Sequence, residues 1–357
     1  MSNRKAVVFA LAAVALSTTI TVGALFALDY SLHKRYEASA GLNTRGYRGQ
    51  IVGRKQPGER RVVVLGGSTA FGYGVHADES FPAYLQELLR HRSDPGHAVT
   101  VINLAYNNEG AYSFRPTLDD YAYLHYDSVI LYEGYNDVDP VLNRRIYRHR
   151  SPVFRLTGYL PILPVVAREK LMAMKYGGHL DQAYAGDRPT FRPSLAQRAV
   201  IAGGEGTLRA HEAFREWLTR LDREPVAPGG SAPSGCGATW DFYCQNVAAA
   251  VDDALAKGAR VMVVTQPYAS QRHREQQAAL RGLLARRFGG DSRVTYVDVG
   301  DHIVDLNDPA ICYDGVHLTA AGNRLVAQRL ADPAFASLGD ASDAARTVRA
   351  VHGPNPS

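Results

Sequence analysis

From Arg61 almost to the end of the chain, short β-type runs alternate with longer amphipathic stretches, and this rhythm restricts the fold more than any other feature. The β-type runs are residues 61–65, 99–104, 128–132, 260–265 and 294–299. The stretches 80–92, 114–124, 244–257, 270–288 and 319–331 carry apolar residues at helical spacing, the last opened by Thr319 in an N-cap position. Strand–helix repetition of this kind implies an α/β fold with a parallel sheet covered on both faces. The 357 residues, 46% hydrophobic and 21% charged, give ordinary globular composition and enough length for one large core or two domains.

Two segments interrupt or precede that rhythm. Residues 139–239 contain an apolar, proline-punctuated piece, 153–174, then a Gly/Pro-rich stretch and a helical pattern over 205–221. They are read as an insertion packed over or beside the active edge of the sheet. Pro161, Pro164, Arg155 and Arg168 argue against a second membrane span there. At the other end, residues 6–28 carry no charge, follow Arg4 and Lys5, and are long enough to cross a bilayer core. The stretch exceeds the apolar region of an ordinary signal peptide, so residues 1–28 are expected to be a retained signal anchor. Cleavage after residue 27, beside the small Ala24 and Ala27, would instead give a secreted form. Residues 29–58 read as a tether, 59–338 as the main domain, and the small, polar 339–357 as a disordered tail.

The net charge of +5 comes from basic residues scattered among acidic ones, without the clustered footprint of a nucleic-acid binder. Cys236 and Cys244 stand close together in a Gly/Pro/Ser-rich region, where a local disulfide suits an exported protein. Cys312 is left over and reads as a small buried apolar residue. No pair has the spacing of a zinc site, and no metal or cofactor is assigned.

Three strand ends carry chemistry. Val62-Val63-Val64-Leu65 breaks into Gly66-Gly67-Ser68-Thr69, so the Ser68 hydroxyl emerges at the carboxyl end of a strand, where open α/β sheets bind ligands. The second strand runs into Asn107-Asn108-Glu109-Gly110, where a glycine N–H is open to close approach. The third runs into Glu133-Gly134-Tyr135-Asn136-Asp137, whose Asn136 amide could face a developing oxyanion. Far downstream, Asp314-Gly315-Val316-His317 offers an imidazole with a carboxylate nearby. Together these segments supply a nucleophile, a base and an orienting group. Taken singly they have plainer readings: Ser68 and Thr69 as a helix cap, Asn136 and Asp137 as turn formers, His317 as a structural histidine. A phosphate loop at Gly66, Gly67, Gly72 and Gly74 lacks the required spacing and the Gly-Lys ending.

In that order the four blocks resemble the SGNH hydrolases, also called the GDSL-like lipase and esterase family, over roughly residues 61–330. The resemblance implies a three-layer α/β/α fold around a five-stranded, mostly parallel, flavodoxin-like sheet. It further implies Ser68 as nucleophile, His317 as general base and then acid, and Asp314 as the group that orients His317. The oxyanion hole would comprise the Ser68 and Gly110 backbone N–H groups and the Asn136 side chain. Two positions depart from the family pattern. Gly67 stands where Gly-Asp-Ser is common, and Gly110 lies further from Asn103 than usual, so Asn108 competes with it. The implied reaction is acyl transfer from an ester, usually to water, by a membrane-anchored enzyme outside the cytoplasm. A lipid ester and an acylated envelope polysaccharide are both candidate substrates, with O-acetylesterase, O-acyltransferase and an inactive anchored binding module as alternative functions.

Overall fold

The computed structural model describes residues 3–37, 41–93, 98–138, 151–178, 189–221, 235–300 and 305–339. By packing these fall into two units, one drawn from residues 1–37 and 149–224, the other from 38–148 and 225–357. The tail expected over 339–357 lies, beyond its first residue, outside the described residues, as do parts of the insertion at 139–150, 179–188 and 222–234.

The larger unit is built on five strands, β1 (Arg60–Gly66), β2 (Val99–Asn103), β3 (Ser128–Tyr132), β4 (Arg260–Val264) and β5 (Val294–Val297), in the order β2-β1-β3-β4-β5. Every pairing is parallel. This is the flavodoxin-like order, with helices on both sides of the sheet. β1 lies between β2 and β3 and is buried on both faces, which is why it reads as an unbroken apolar run. Its side chains alternate: Val62 and Val64 join a cluster with Phe81, Leu85 and Leu89 of α3 (Phe81–Arg92) and with Val326 and Leu330 of α10 (Ala320–Ala336). Val63 and Leu65 face the opposite way, and on β4 the helix α8 (Asp241–Ala256) packs. The remaining helices of this unit are α2 (Ser68–Phe71), α4 (Phe114–Asp120) and α9 (Gln271–Phe288).

The expected strands are all present with small shifts at their ends. The last helix outruns its expected end at 331 and continues through Pro333 to Ala336, where buried Ala334 adds packing that offsets the missing N–H. Thr319 caps it, accepting from the Gly322 N–H at 3.3 Å. Cys236 and Cys244 form a disulfide, and Cys312 is a buried free thiol within the core cluster. Residues 41–58 are more than a spacer. Asn43, Tyr47 and Arg48 are buried, and the Arg48 guanidinium donates to the carbonyls of Phe71, Gly72 and, at 2.5 Å, Val75.

The smaller unit contains α1 (Asn3–Tyr36) and the insertion helices α5 (Pro152–Thr157), α6 (Leu163–Lys175) and α7 (Leu195–Leu221). The apolar piece over 153–174 is two helices, separated by a segment containing Pro161. Asp29 of α1 accepts from the backbone N–H of Ile162 at 2.9 Å and Leu163 at 2.6 Å, satisfying donors at the start of α6. α7 begins at Leu195, well before the helix expected from residue 205. Ser194 and Gln197 close a reciprocal capping box at its start, Gln197 N–H donating to Ser194 Oγ and Ser194 N–H to Gln197 Oε1.

Candidate active site

Because the strands are parallel, the loops leaving their carboxyl ends share one edge of the sheet. The chain passes from β1 outward to β2 on one side and returns to β3 on the other, making the crevice between β1 and β3 the switch point where such sheets bind ligands. Ser68 opens α2 directly after β1, and Asn136 lies on a short turn, Tyr135–Asp137, after β3. A separate cavity of about 370 Å³, lined among others by Arg60, Asp127, Lys257 and Arg260, lies at the opposite edge, where strands begin.

Ser68 and His317, 249 positions apart, meet: His317 Nε2 lies 2.7 Å from Ser68 Oγ. The other ring nitrogen, Nδ1, lies 2.6 Å from Asp314 Oδ2. Asp314 Oδ1 accepts from the backbone N–H groups of His317 at 2.7 Å and Val316 at 3.0 Å. Burial works to raise the Asp314 pKa, but these donors, His317 foremost, outweigh it and hold the carboxyl below its ordinary range. An ionised Asp314 draws the imidazole proton to Nδ1, which leaves Nε2 with a lone pair facing the serine hydroxyl. The imidazole lies beside the rings of Tyr73, at 5.1 Å, and Tyr313, at 5.9 Å and nearly parallel; the Tyr313 hydroxyl donates to the Tyr73 carbonyl at 2.8 Å.

The Asn136 amide is held by a bond from Nδ2 to the Glu109 carbonyl at 2.9 Å, which ties the loop after β3 to the loop after β2. Both crowd Gly67. A Cβ there would stand 2.2 Å from Asn136 Nδ2, 2.7 Å from Glu133 Oε2 and 3.0 Å from the Glu109 carbonyl oxygen. The departure from Gly-Asp-Ser thus has a steric cause, for the carboxyl filling the space beside residue 67 comes from Glu133. Gly110 is buried, and a Cβ on it would meet Asp137 Oδ2 at 2.6 Å. Asn108, its competitor, is exposed with a positive φ of 62°.

Several residues of this edge were given no role at the site by the sequence. Glu133 Oε1 accepts from the Gly134 and Asn136 N–H groups at 2.9 and 3.1 Å, and Asp137 Oδ2 accepts from Ala111 N–H at 2.8 Å. Burial raises both carboxyl pKa values, and the neighbouring Asp137 adds to the rise at Glu133. Gln266, after β4, donates to Thr69 Oγ1 at 2.6 Å and accepts from Tyr135 N–H at 2.8 Å. Two acids around Asn136 at the end of an apolar strand were a signal for Glu133 and Asp137. Gln266 and Arg48 carried none, because their partners are distant in sequence. Among the described residues, no group of three or more His, Cys, Asp or Glu is placed to hold a metal ion.

The GDSL-like Lipase/Acylhydrolase family matches the chain over residues 64–325. A search of curated proteins gives no match. Among solved structures, the chain is similar to a lipolytic protein of the G-D-S-L family from Desulfitobacterium hafniense DCB-2, with 12% identity, 76% of this chain and 98% of that chain covered, and a TM-score of 0.40. It is likewise similar to a GDSL-like lipase from Bacteroides thetaiotaomicron VPI-5482, at 13% identity, 80% and 92% coverage and a TM-score of 0.41. A family 3 carbohydrate esterase from Clostridium thermocellum gives 13% identity, 79% and 100% coverage and a TM-score of 0.40. With the matched region taking in both Ser68 and His317, the chain belongs to the GDSL-like lipase/acylhydrolase family.

Proposed function

We propose that the protein is a membrane-anchored serine ester hydrolase, with Ser68 as nucleophile, His317 as base and acid, and Asp314 as the orienting carboxylate. The observation that carries the reading is the continuous chain of bonds from Asp314 through His317 to Ser68 Oγ. In the reaction, Ser68 Oγ attacks the ester carbonyl carbon while its proton passes to His317 Nε2. The tetrahedral oxyanion is received by the Ser68 and Gly110 N–H groups and the Asn136 amide. His317 then gives the proton to the leaving alcohol, and an acyl group stays on Ser68. Water, deprotonated by His317, attacks the acyl carbon and releases the acid and the free serine.

The apolar α1 helix and the disulfide support a catalytic domain outside the cytoplasm, acting on a lipid ester or an acylated polysaccharide at the envelope. Hydrolysis of p-nitrophenyl acetate, butyrate and palmitate by the full chain in detergent tests this. Turnover is expected for the wild type and its loss for Ser68→Ala, with chain-length preference separating lipase-like from acetylesterase-like behaviour. Full activity in Ser68→Ala would overturn the mechanism.

A further inference from the structure

Within the unit formed by α1, α5, α6 and α7, α1 changes character at one residue. Its side chains from Lys5 to Leu28 are all exposed, after which Asp29, Leu32, His33 and Tyr36, at helical spacing along one face, are wholly or partly covered. The cover is the segment joining α5 to α6. Besides its bonds to Ile162 and Leu163, Asp29 accepts from the Tyr159 hydroxyl at 2.6 Å, and His33 Nε2 lies 2.8 Å from the Leu160 carbonyl. Phe26, inside the uncharged stretch, has its ring 5.1 Å from that of Tyr159. Tyr159 therefore sits where the apolar stretch ends, its ring against an apolar neighbour and its hydroxyl on a carboxylate. That is the arrangement tyrosine favours at a lipid–water boundary.

The 34 residues of α1 make a helix of about 51 Å, longer than a hydrocarbon core of about 30 Å, so its docked end projects into the headgroup layer when the bare part spans. The elements it holds there expose apolar side chains. α5 exposes Val153 at 46% and Leu156 at 86%, and α6 exposes Val165 at 44%. Single exposed apolar residues are ordinary on a soluble surface. These three belong to the segment that the helix fixes at the level of the boundary.

We propose that α5 and the start of α6 are a lipid-contacting surface, with Val153, Leu156 and Val165 entering the interface of the same bilayer that α1 crosses. The inference rests on the reading of α1 as a membrane anchor. It is tested on the full chain carrying Leu156→Cys, coupled to an environment-sensitive fluorophore and reconstituted in phosphatidylcholine–phosphatidylglycerol vesicles. Cys236 and Cys244 are disulfide-bonded and Cys312 is buried, so the introduced thiol takes the label. A Leu16→Cys chain labelled in the same way reports on α1. Both probes are expected to lose most of their fluorescence when the lipid carries a nitroxide near its headgroup or along its chain. Quenching at Leu16 with none at Leu156 would overturn the lipid-contacting surface and leave the anchor standing. No quenching at either position would overturn the anchor, and the surface with it.

Discussion

The backbone at Gly67 passes so close to Asn136 and Glu133 that one methyl group there tests the proposed oxyanion side of the site. Asn136 is pinned by the Glu109 carbonyl and Glu133 is buried among backbone donors, so neither can yield without moving the amide. Gly67→Ala is expected to lower kcat by about 10²–10³, the loss typical of one missing oxyanion donor, and Asn136→Ala by a similar factor. Steady-state kinetics on a short-chain ester check this, with KM little changed; a normal kcat in Gly67→Ala would mean that the Asn136 amide is not set by this contact. At this scale the sequence was legible where a residue type stands out by itself, as at Ser68, Asp314 and His317, which the structure brings within hydrogen-bonding distance of one another. It was silent where a role depends on a neighbour in space. Gly67 stood out only as a departure from the family pattern, because the carboxyl that occupies the adjoining space arrives from the end of another strand.

Among the elements, α9 carries a buried histidine that the proposed chemistry does not use. His273 packs its ring 4.7 Å from Tyr135 and 5.7 Å from Tyr268, and burial, helped by the Arg274 charge, pushes its pKa down to about 4. An unfolded histidine binds its proton near pH 6.5, so the unfolded chain is the better proton acceptor between about 6.5 and 4. Stability is therefore full above that window and falls as the pH drops through it, by about 2 kcal/mol at pH 5 from this residue alone. Denaturant unfolding at pH 7 and pH 5 checks the slope, which His273→Gln should flatten. An unchanged slope in that variant would show that His273 does not cause the acid sensitivity. The strands were the most legible elements, above all β1, β3 and β4, whose near-continuous burial leaves an apolar run at each. The start of α7 was not, because Gly203, Gly204 and Gly206 mask its helical pattern; the Ser194–Gln197 capping box was the signal that marked it.

For the whole molecule, the rhythm of strands and helices foretold the α/β sheet and its edge, because each βα repeat is local and its handedness is restricted. The packing of α1 with the insertion was not foretold. It depends on Asp29 and His33 meeting a segment more than a hundred residues away, and charge counting places such residues in a solvated tether. Whether Ser68 and His317 act together as nucleophile and base is read out by intact-mass analysis of the full chain treated with a fluorophosphonate. One adduct per chain, mapped to Ser68 and slowed by orders of magnitude in His317→Ala, is the expected result. Labelling at another residue, or undiminished labelling of Ser68 in His317→Ala, would contradict it.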